Sequence, residues 1–278
     1  MSTAQPFDAD AFQQFEHAGW QRAAEHYAGA FGALTMQTAD ALLDAVGAGP
    51  GVRLLDVATG PGFIAGAAAA RGATVVGLDF SPAMIAEAQQ RHSDVMFRDG
   101  DAEALPFEDD SIDAVVMNFG LLHLARPEAA LAEAHRVLRP GGRYGFTVWA
   151  PPDQAVGFGM VLRAIETFGK TDVPLPAGPP FFRFGDTGEC RRTLEDAGFS
   201  DIDVKLLPLK WRLVSAEAVL DALSRGGVRT AALLRAQSPE ALGSIRTAVR
   251  RAVETYAQNV GFVVPMPAVL ASATKQQP

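Results

Sequence analysis

The 278-residue chain contains a single cysteine, Cys190, so no disulfide can close within it. A reducing compartment suits such a chain, and a cytoplasmic location is expected. Arg191 and Arg192 follow the cysteine and could make its thiol more acidic, but a lone cysteine is more often inert. Residues Met1 to Asp10 lack the basic start and apolar core of a secretory leader. No charge-free apolar run reaches the length of a membrane span. The histidines, His17, His26, His92, His123 and His135, are scattered without zinc-site spacing, so no metal is expected. Positive charge is in deficit too. The formal net charge of -8 argues against a general grip on nucleic acid or on an anionic membrane. Internal repeats are absent. What is present is 48% hydrophobic and 20% charged residues, the mix of a globular protein with a sizeable core. The length suits one large α/β domain or two small ones.

The chain is organised around Leu54-Leu55-Asp56-Val57-Ala58-Thr59-Gly60-Pro61-Gly62-Phe63. Apolar residues and an acid lead into a loop of small residues, then an Ala-rich run from Ile64 to Arg71: strand, glycine turn, helix. Gly60 and Gly62 let the backbone turn sharply and let a ligand approach it. The first amides of the helix are unpaired and face that ligand. Dinucleotide folds usually place glycine where Asp56 stands. A carboxylate there repels a pyrophosphate and attracts a cation, so the pattern predicts a pocket for a cationic, nucleoside-bearing ligand.

Strands are expected at Val52–Val57, Thr74–Leu78, Val95–Arg98, Ile112–Met117 and Arg143–Trp149, with helices between them at Phe63–Arg71, Pro82–Arg91 and 127–138. This alternation predicts a parallel sheet covered on both faces. Ligands bind outside the carboxyl ends of such strands. Asp79 ends the second strand, where a carboxylate can accept two hydrogen bonds from a ribose diol. Ser81 is the better helix cap, which leaves Asp79 free. In Gly100-Asp101-Ala102, Asp101 reads equally as an acceptor for an adenine amino group and as a solvated loop acid. Asn118, Phe119 and His123 follow the fourth strand at the mouth.

Before the sheet, residues 11–46 read as helix broken near Gly29 and Gly32, with Tyr27 lifted out because such a helix often crosses the pocket. After it, residues 151–185 are rich in Pro, Gly and Phe and carry an amphipathic segment, Phe158–Phe168, which suits a lid. Trp149, Phe181, Phe182 and Phe184 are expected to enclose an apolar pocket beside Phe119. A helix at Thr187–Ala197, a strand at Ile202–Trp211, two or three helices over 215–260 and a final strand over 263–271 complete the chain. The two prolines of that last strand make it unusual.

Four motifs carry a family resemblance: the Leu54–Gly62 loop, Gly77-Leu78-Asp79-Phe80-Ser81-Pro82-Ala83-Met84, Gly100-Asp101-Ala102-Glu103-Ala104-Leu105-Pro106-Phe107, and Val137-Leu138-Arg139-Pro140-Gly141-Gly142-Arg143. In this order they resemble a class I S-adenosylmethionine-dependent methyltransferase, closest to the ubiquinone/menaquinone-biosynthesis type. The resemblance implies a Rossmann-like, seven-stranded, mostly parallel sheet whose last strand is antiparallel, with helices on both faces and helical lid insertions. It treats 1–278 as one domain: N-terminal helices (1–50), cofactor core (51–150), lid (151–185) and helical insertion (212–262). It assigns S-adenosyl-L-methionine as cofactor, leaving S-adenosyl-L-homocysteine. Asp56, Ala58, Thr59, Gly60 and Gly62 would line its methionine part, with Tyr27 across it. Asp79 would hold the ribose, Phe80, Met84, Gly100, Asp101 and Ala102 the adenine, and Asn118 and Phe119 would border the methyl. Ala58 departs from the family, where many relatives have glycine.

The function expected is methyl transfer to a small, aromatic or apolar acceptor, on oxygen or carbon by preference and nitrogen as a further option. The substrate pocket is Phe119, His123, Trp149, Phe181 and Phe182, with His123 as the base candidate; a helix-start histidine touching only solvent or the lid is the other reading. A non-catalytic cofactor-binding protein and a nicotinamide-dependent oxidoreductase compete with this function, though the latter leaves Asp56 and Gly100-Asp101-Ala102 unexplained. Residue types alone name neither the acceptor nor the oligomeric state.

Overall fold

The computed structural model describes residues 7–277; the leader reading over Met1–Asp10 and the ends of the 1–278 domain range fall partly outside them. The strands are β1 (Arg53–Val57), β2 (Thr74–Asp79), β3 (Met96–Asp99), β4 (Ile112–Asn118), β5 (Leu138–Trp149), β6 (Phe199–Leu207), β7 (Lys210–Leu213), β8 (Phe262–Pro265) and β9 (Ala268–Lys275). Seven of them form one sheet in the order β3-β2-β1-β4-β5-β9-β6. β1 to β5 pair in parallel, and β9 runs antiparallel between β5 and β6. The inner strands read as unbroken apolar runs because helices cover both faces; Leu54, Leu55, Val115, Val116 and Phe146 are all buried. The chain winds outward from β1 to β3, then returns to start β4 on the other side of β1. Loops leaving β1 and β4 therefore part in opposite directions, and the crevice between them opens at the carboxyl ends.

Proline decides where the expected strands divide. Ile202–Trp211 is not one strand: Pro208, which has no N–H for a ladder, separates β6 from β7. Likewise Pro265-Met266-Pro267 divides the final stretch. β8 pairs with β7 in a separate two-stranded ribbon, and β9 crosses into the main sheet. Three helices lie between the two halves of that ribbon, Ala218–Arg225, Arg229–Arg235 and Pro239–Glu254, with breaks at Gly226-Gly227 and Ser238-Pro239.

Glycine does not break the N-terminal helix. Ala9–Tyr27 runs into a π-helical turn, Ala28–Gly32, and on through Ala33–Thr35, a 3-10 turn at Met36–Thr38 and Ala39–Ala45. Gly32 serves packing instead, since a Cβ there would stand 3.0 Å from the Phe63 ring. The 151–185 segment holds the helix Val156–Phe168, but not all its aromatics face a pocket. Phe184 is buried in the core, edge-on to Phe146 at 6.2 Å. Cys190 is buried beside it and donates to the Phe184 carbonyl at 2.9 Å. Burial, then the Asp186 and Glu189 charges, push the thiol up to about 12, the reverse of an activated cysteine. Arg191 and Arg192 are turned to Ile202 and Glu189. No helix among the described residues is long and apolar enough to cross a membrane, and none of their His, Cys, Asp and Glu side chains cluster in a metal-holding group.

Candidate active site

A cleft with about 910 Å³ of empty space, counting its open mouth, lies over the carboxyl ends of β1 to β4. Asp56, Ala58, Thr59 and Gly60 line it from the first loop, and Asp79, Phe80 and Met84 from the second. Gly100, Asp101 and Ala102 line it from the third, Asn118, Phe119 and His123 from the fourth, and Tyr27 from the N-terminal helix. Gly62 stands behind the loop. Its φ of +80° starts the helix, and a Cβ there would meet the Phe97 ring at 2.9 Å.

The acids of this cleft are not equivalent. Thr59 Oγ1 donates to Asp56 Oδ2 at 2.7 Å, while Asp56 Oδ1 is buried with no hydrogen-bond partner among the described residues. Burial pushes the Asp56 carboxyl up to about 7, against the Thr59 bond and the Ala65 backbone N–H, and helped by the nearby Asp79 charge. Asp79 is pushed up to about 6, again by burial first. Ser81 caps the following helix through Met84 N–H, but this does not leave Asp79 free. Its Oδ2 accepts from Gly60 N–H at 2.8 Å and its Oδ1 from Ser81 N–H at 2.9 Å. Each oxygen keeps one lone pair for a ligand. Ala58 has a φ of +54°, a left-handed conformation that suits glycine. Its methyl fits only because Gly120 stands opposite: a Cβ on Gly120 would lie 2.7 Å from it.

A second cavity, with about 450 Å³ of empty space, adjoins the first. Phe119, Trp149, Phe158 and Phe181 line it, with Tyr27, His123 and Arg229 as its charged or titratable members. Phe119 stacks on Trp149 with centroids 4.1 Å apart, from a backbone φ of +55°. Its N–H donates to the Thr147 carbonyl at 3.0 Å, which holds that strained turn in place. Phe182 lines neither cavity; it stands edge-on behind Phe181 at 4.9 Å. Asn118 accepts from Thr38 Oγ1 at 2.7 Å and from Thr147 Oγ1 at 2.5 Å.

Residues 55–146 match a family model described as a methyltransferase domain. A demethylmenaquinone methyltransferase of Renibacterium salmoninarum is 35% identical over 175 residues, which cover 60% of this chain and 74% of that protein. Another, of Beutenbergia cavernae, is 46% identical over 123 residues, 42% of this chain and about half (51%) of that one. The chain belongs to the class I S-adenosylmethionine-dependent methyltransferases. Its sequence likeness lies with the menaquinone-biosynthesis type. In fold it resembles phosphoethanolamine N-methyltransferase 2 of Haemonchus contortus, solved with S-adenosyl-L-methionine. The TM-score is 0.58 at 20% identity, over 96% of this chain and 60% of that one.

The cofactor of this methyltransferase is S-adenosylmethionine, and the cleft suits it. Asp56 Oδ1 is a buried acceptor at the wall of the cleft, with no hydrogen-bond partner among the described residues. The space beyond Gly60, where a Cβ would meet nothing within 4 Å, lets a ligand lie against the loop.

The roof of the methyltransferase cleft is the N-terminal helix. Gln13 Nε2 donates to Asp101 Oδ2 at 2.7 Å, and Gln21 Oε1 accepts from Ala83 N–H at 3.1 Å. Glu16 meets His123 Nδ1 at 3.0 Å and Arg229 Nε at 2.8 Å. Trp20 stands edge-on to His123 at 4.7 Å. Sequence reasoning missed Gln13, Glu16, Trp20, Gln21 and Arg229. One signal was available: Gln13, Glu16, Trp20 and Tyr27 fall in a single helical stripe, and so share one face. Nothing local marks Arg229.

Proposed function

We propose that this enzyme methylates a small, flat aromatic acceptor, on a hydroxyl oxygen or a ring carbon, with the acceptor seated in the aromatic cavity and the cofactor in the cleft. In this reading Asp56, with Ala58, Thr59, Gly60 and Gly62 shaping its loop, takes the methionine part. Asp79 holds the ribose, with Phe80 and Met84 near the adenine and Asp101 and Ala102 at its amino edge. Gly100 lets that loop pack against Leu78, which a Cβ would meet at 2.7 Å, and Tyr27, Asn118 and Phe119 surround the transferred methyl. What S-adenosylmethionine supplies is an electrophilic methyl on a cationic sulfur. The chain's own contribution is alignment, exclusion of water, and a base.

The observation that carries this is the shared wall. Trp20, Tyr27, Phe119 and His123 line both cavities, so a methyl leaving the cleft would enter the second cavity between them. The aromatic lining supports a flat acceptor. The relatives' name, demethylmenaquinone methyltransferase, supports a quinone or quinol ring in particular. His123, at this junction, is the base that would take a proton from the acceptor.

The test is methyl transfer to 1,4-dihydroxynaphthalene and to matched amines, followed by product mass, beside calorimetric titration with S-adenosylmethionine. Aromatic hydroxyl or ring-carbon products support the proposal. Tight cofactor binding with transfer only to amines would overturn the acceptor class. His123→Ala should lower turnover by about a hundred- to ten-thousand-fold with cofactor affinity nearly unchanged; a normal rate would remove His123 from the chemistry.

A further inference from the structure

Glu16 is a fully buried carboxylate on the N-terminal helix, and both its oxygens are engaged. Oε2 lies 3.0 Å from His123 Nδ1, and Oε1 accepts from Arg229 Nε at 2.8 Å. Each of the three guanidinium nitrogens is also engaged. Nη1 donates to the Pro179 carbonyl at 2.7 Å and Nη2 to the Leu122 carbonyl at 2.9 Å. It packs 4.4 Å above the Phe12 ring and 5.5 Å from that of Phe181. Trp20 and Phe181 close edge-on around the imidazole. Three segments distant in sequence thus converge on one histidine. Its other nitrogen, Nε2, has no hydrogen-bond partner among the described residues, at a wall shared by both cavities.

We infer that Glu16 and Arg229 are positioning residues for methyl transfer: they hold His123 as the Nδ1–H tautomer, with the Nε2 lone pair available to a hydroxyl on the acceptor. This rests on the reading of His123 as base. An ionised Glu16 can only accept, so the imidazole must donate to it from Nδ1, and its basic nitrogen is then Nε2. Burial works against ionisation of Glu16, but a protonated His123, by charge and hydrogen bond, and then Arg229, by charge and hydrogen bond, hold the carboxyl below its ordinary value. When His123 is neutral, its N–H bond and the Arg229 cation are what remain to hold the charge. Arg229 thereby supports the charge of a carboxylate that is fully buried.

The proton balance is simple. The hydroxyl proton passes to Nε2. The electron pair it leaves, on oxygen or delocalised to a ring carbon, forms the bond to the methyl carbon. The methyl–sulfur bond breaks with its pair on sulfur. The imidazolium then releases its proton to solvent; on the carbon route the ring also loses the proton it carried there. Glu16 and Arg229 are the charged groups packed against or beside the imidazole. Tyr27, Asp101 and Glu103 line the same cleft without a hydrogen bond to it.

Two variants separate this role from a structural clasp. In Glu16→Gln, Arg229 Nε–H still needs an acceptor and should claim the amide oxygen, which turns the amide NH₂ towards Nδ1. The favoured tautomer then flips to Nε2–H, and the lone pair faces away from the acceptor. Turnover on 1,4-dihydroxynaphthalene should fall by about a hundredfold or more, as when a histidine is held in the wrong tautomer. The acid limb of the rate profile should move to lower pH, because the imidazolium has lost an adjacent negative charge. In Arg229→Gln the Glu16 charge is no longer offset, and the acid limb should move to higher pH. Opposite shifts are not what loosened packing would produce.

The readout independent of activity is the long-range ¹H–¹⁵N spectrum of His123 in the full-length protein. Wild type should show Nδ1 protonated and Nε2 bare; Glu16→Gln should show the reverse. A wild-type Nε2–H tautomer overturns the inference even if neither variant folds. Unmoved pH profiles in folded variants overturn it too, while a dead His123→Ala leaves the base reading standing. A fully active His123→Ala removes the base reading instead, and the spectra still report whether Glu16 sets the tautomer.

Discussion

Ala58 and Gly120 show how one side chain is accommodated by the absence of another. A left-handed backbone costs an L-residue roughly 1–2 kcal/mol, and Ala58 bears it at φ +54°. Ala58→Gly should therefore stabilise the protein by up to about 1 kcal/mol, less than the full strain because glycine also frees the unfolded chain. Gly120→Ala should destabilise it, since the new methyl would lie 2.7 Å from both the Ala58 Cβ and the Met117 Cγ. In the Ala58→Gly background that penalty should shrink by about 0.5 kcal/mol or more, the coupling of residues in contact. Urea unfolding of the four proteins measures it, and strict additivity would refute the pairing. Asp79 carries two burdens. Asp79→Ala should weaken S-adenosylmethionine binding by about 1.5–3 kcal/mol, read by titration calorimetry. It should also destabilise the fold, because Gly60 and Ser81 N–H lose their acceptor. Unchanged affinity would sink the ribose assignment.

The N-terminal helix decides whether the cleft is closed, and Gly19 decides how near it can lie. A Cβ on Gly19 would stand 2.3 Å from Val228 Cγ1, on a β-branched side chain with little room to rotate. Helix propensity alone favours Gly19→Ala by about 1 kcal/mol. Overpacking a stiff neighbour costs about 1–3 kcal/mol, so the clash should win. Thermal unfolding should show a net loss, and the displaced helix should also weaken cofactor binding through Gln13, which bonds to Asp101. That loss does not belong to Glu16, which holds His123. A stabilised Gly19→Ala with normal affinity would mean the helix is not closely docked. The same weighing explains the strands: the 202–211 and 263–271 stretches are apolar enough for one strand each, yet proline divides both.

Across the whole molecule, the buried acids link stability to pH in opposite senses. The folded-state values of Asp56 and Asp79, about 7 and about 6, lie above the ordinary 3.8. The folded protein thus binds these protons more tightly than the unfolded chain. Their contribution to stability is full below the unfolded value and is lost as pH rises towards the folded ones. Glu16, held below its ordinary 4.5, contributes above that value and loses its contribution as pH falls through the folded one. Between about pH 5 and pH 8 the cofactor-free protein should therefore become less stable through Asp56 and Asp79. A cationic ligand favours the ionised carboxylates, so the rise in Tm on adding S-adenosylmethionine should grow over the same interval. Scanning calorimetry at both ends checks this. An equal rise at both would show that neither acid faces the cofactor's charge.

Local pattern was enough for the alternating core, because hydrophobic period, glycine turns and strand-end acids act within about ten residues of one another. From Asp56, Asp79 and Asp101 the sequence by itself determined where the cleft would be. It also marked Phe119 and His123 at the mouth of the fourth strand. Only the tertiary structure decided that Asp79 is bound by two backbone amides, that Phe184 belongs to the core, and that β7 and β8 leave the main sheet. It alone joined Glu16, His123 and Arg229, which are separated by 107 and 106 positions along the chain. Nothing in a helix turn around Glu16 or Arg229 differs from an ordinary solvated charge. Their meaning arises when the helix folds back over the sheet and burial leaves each charge only the other, and a histidine, to answer it.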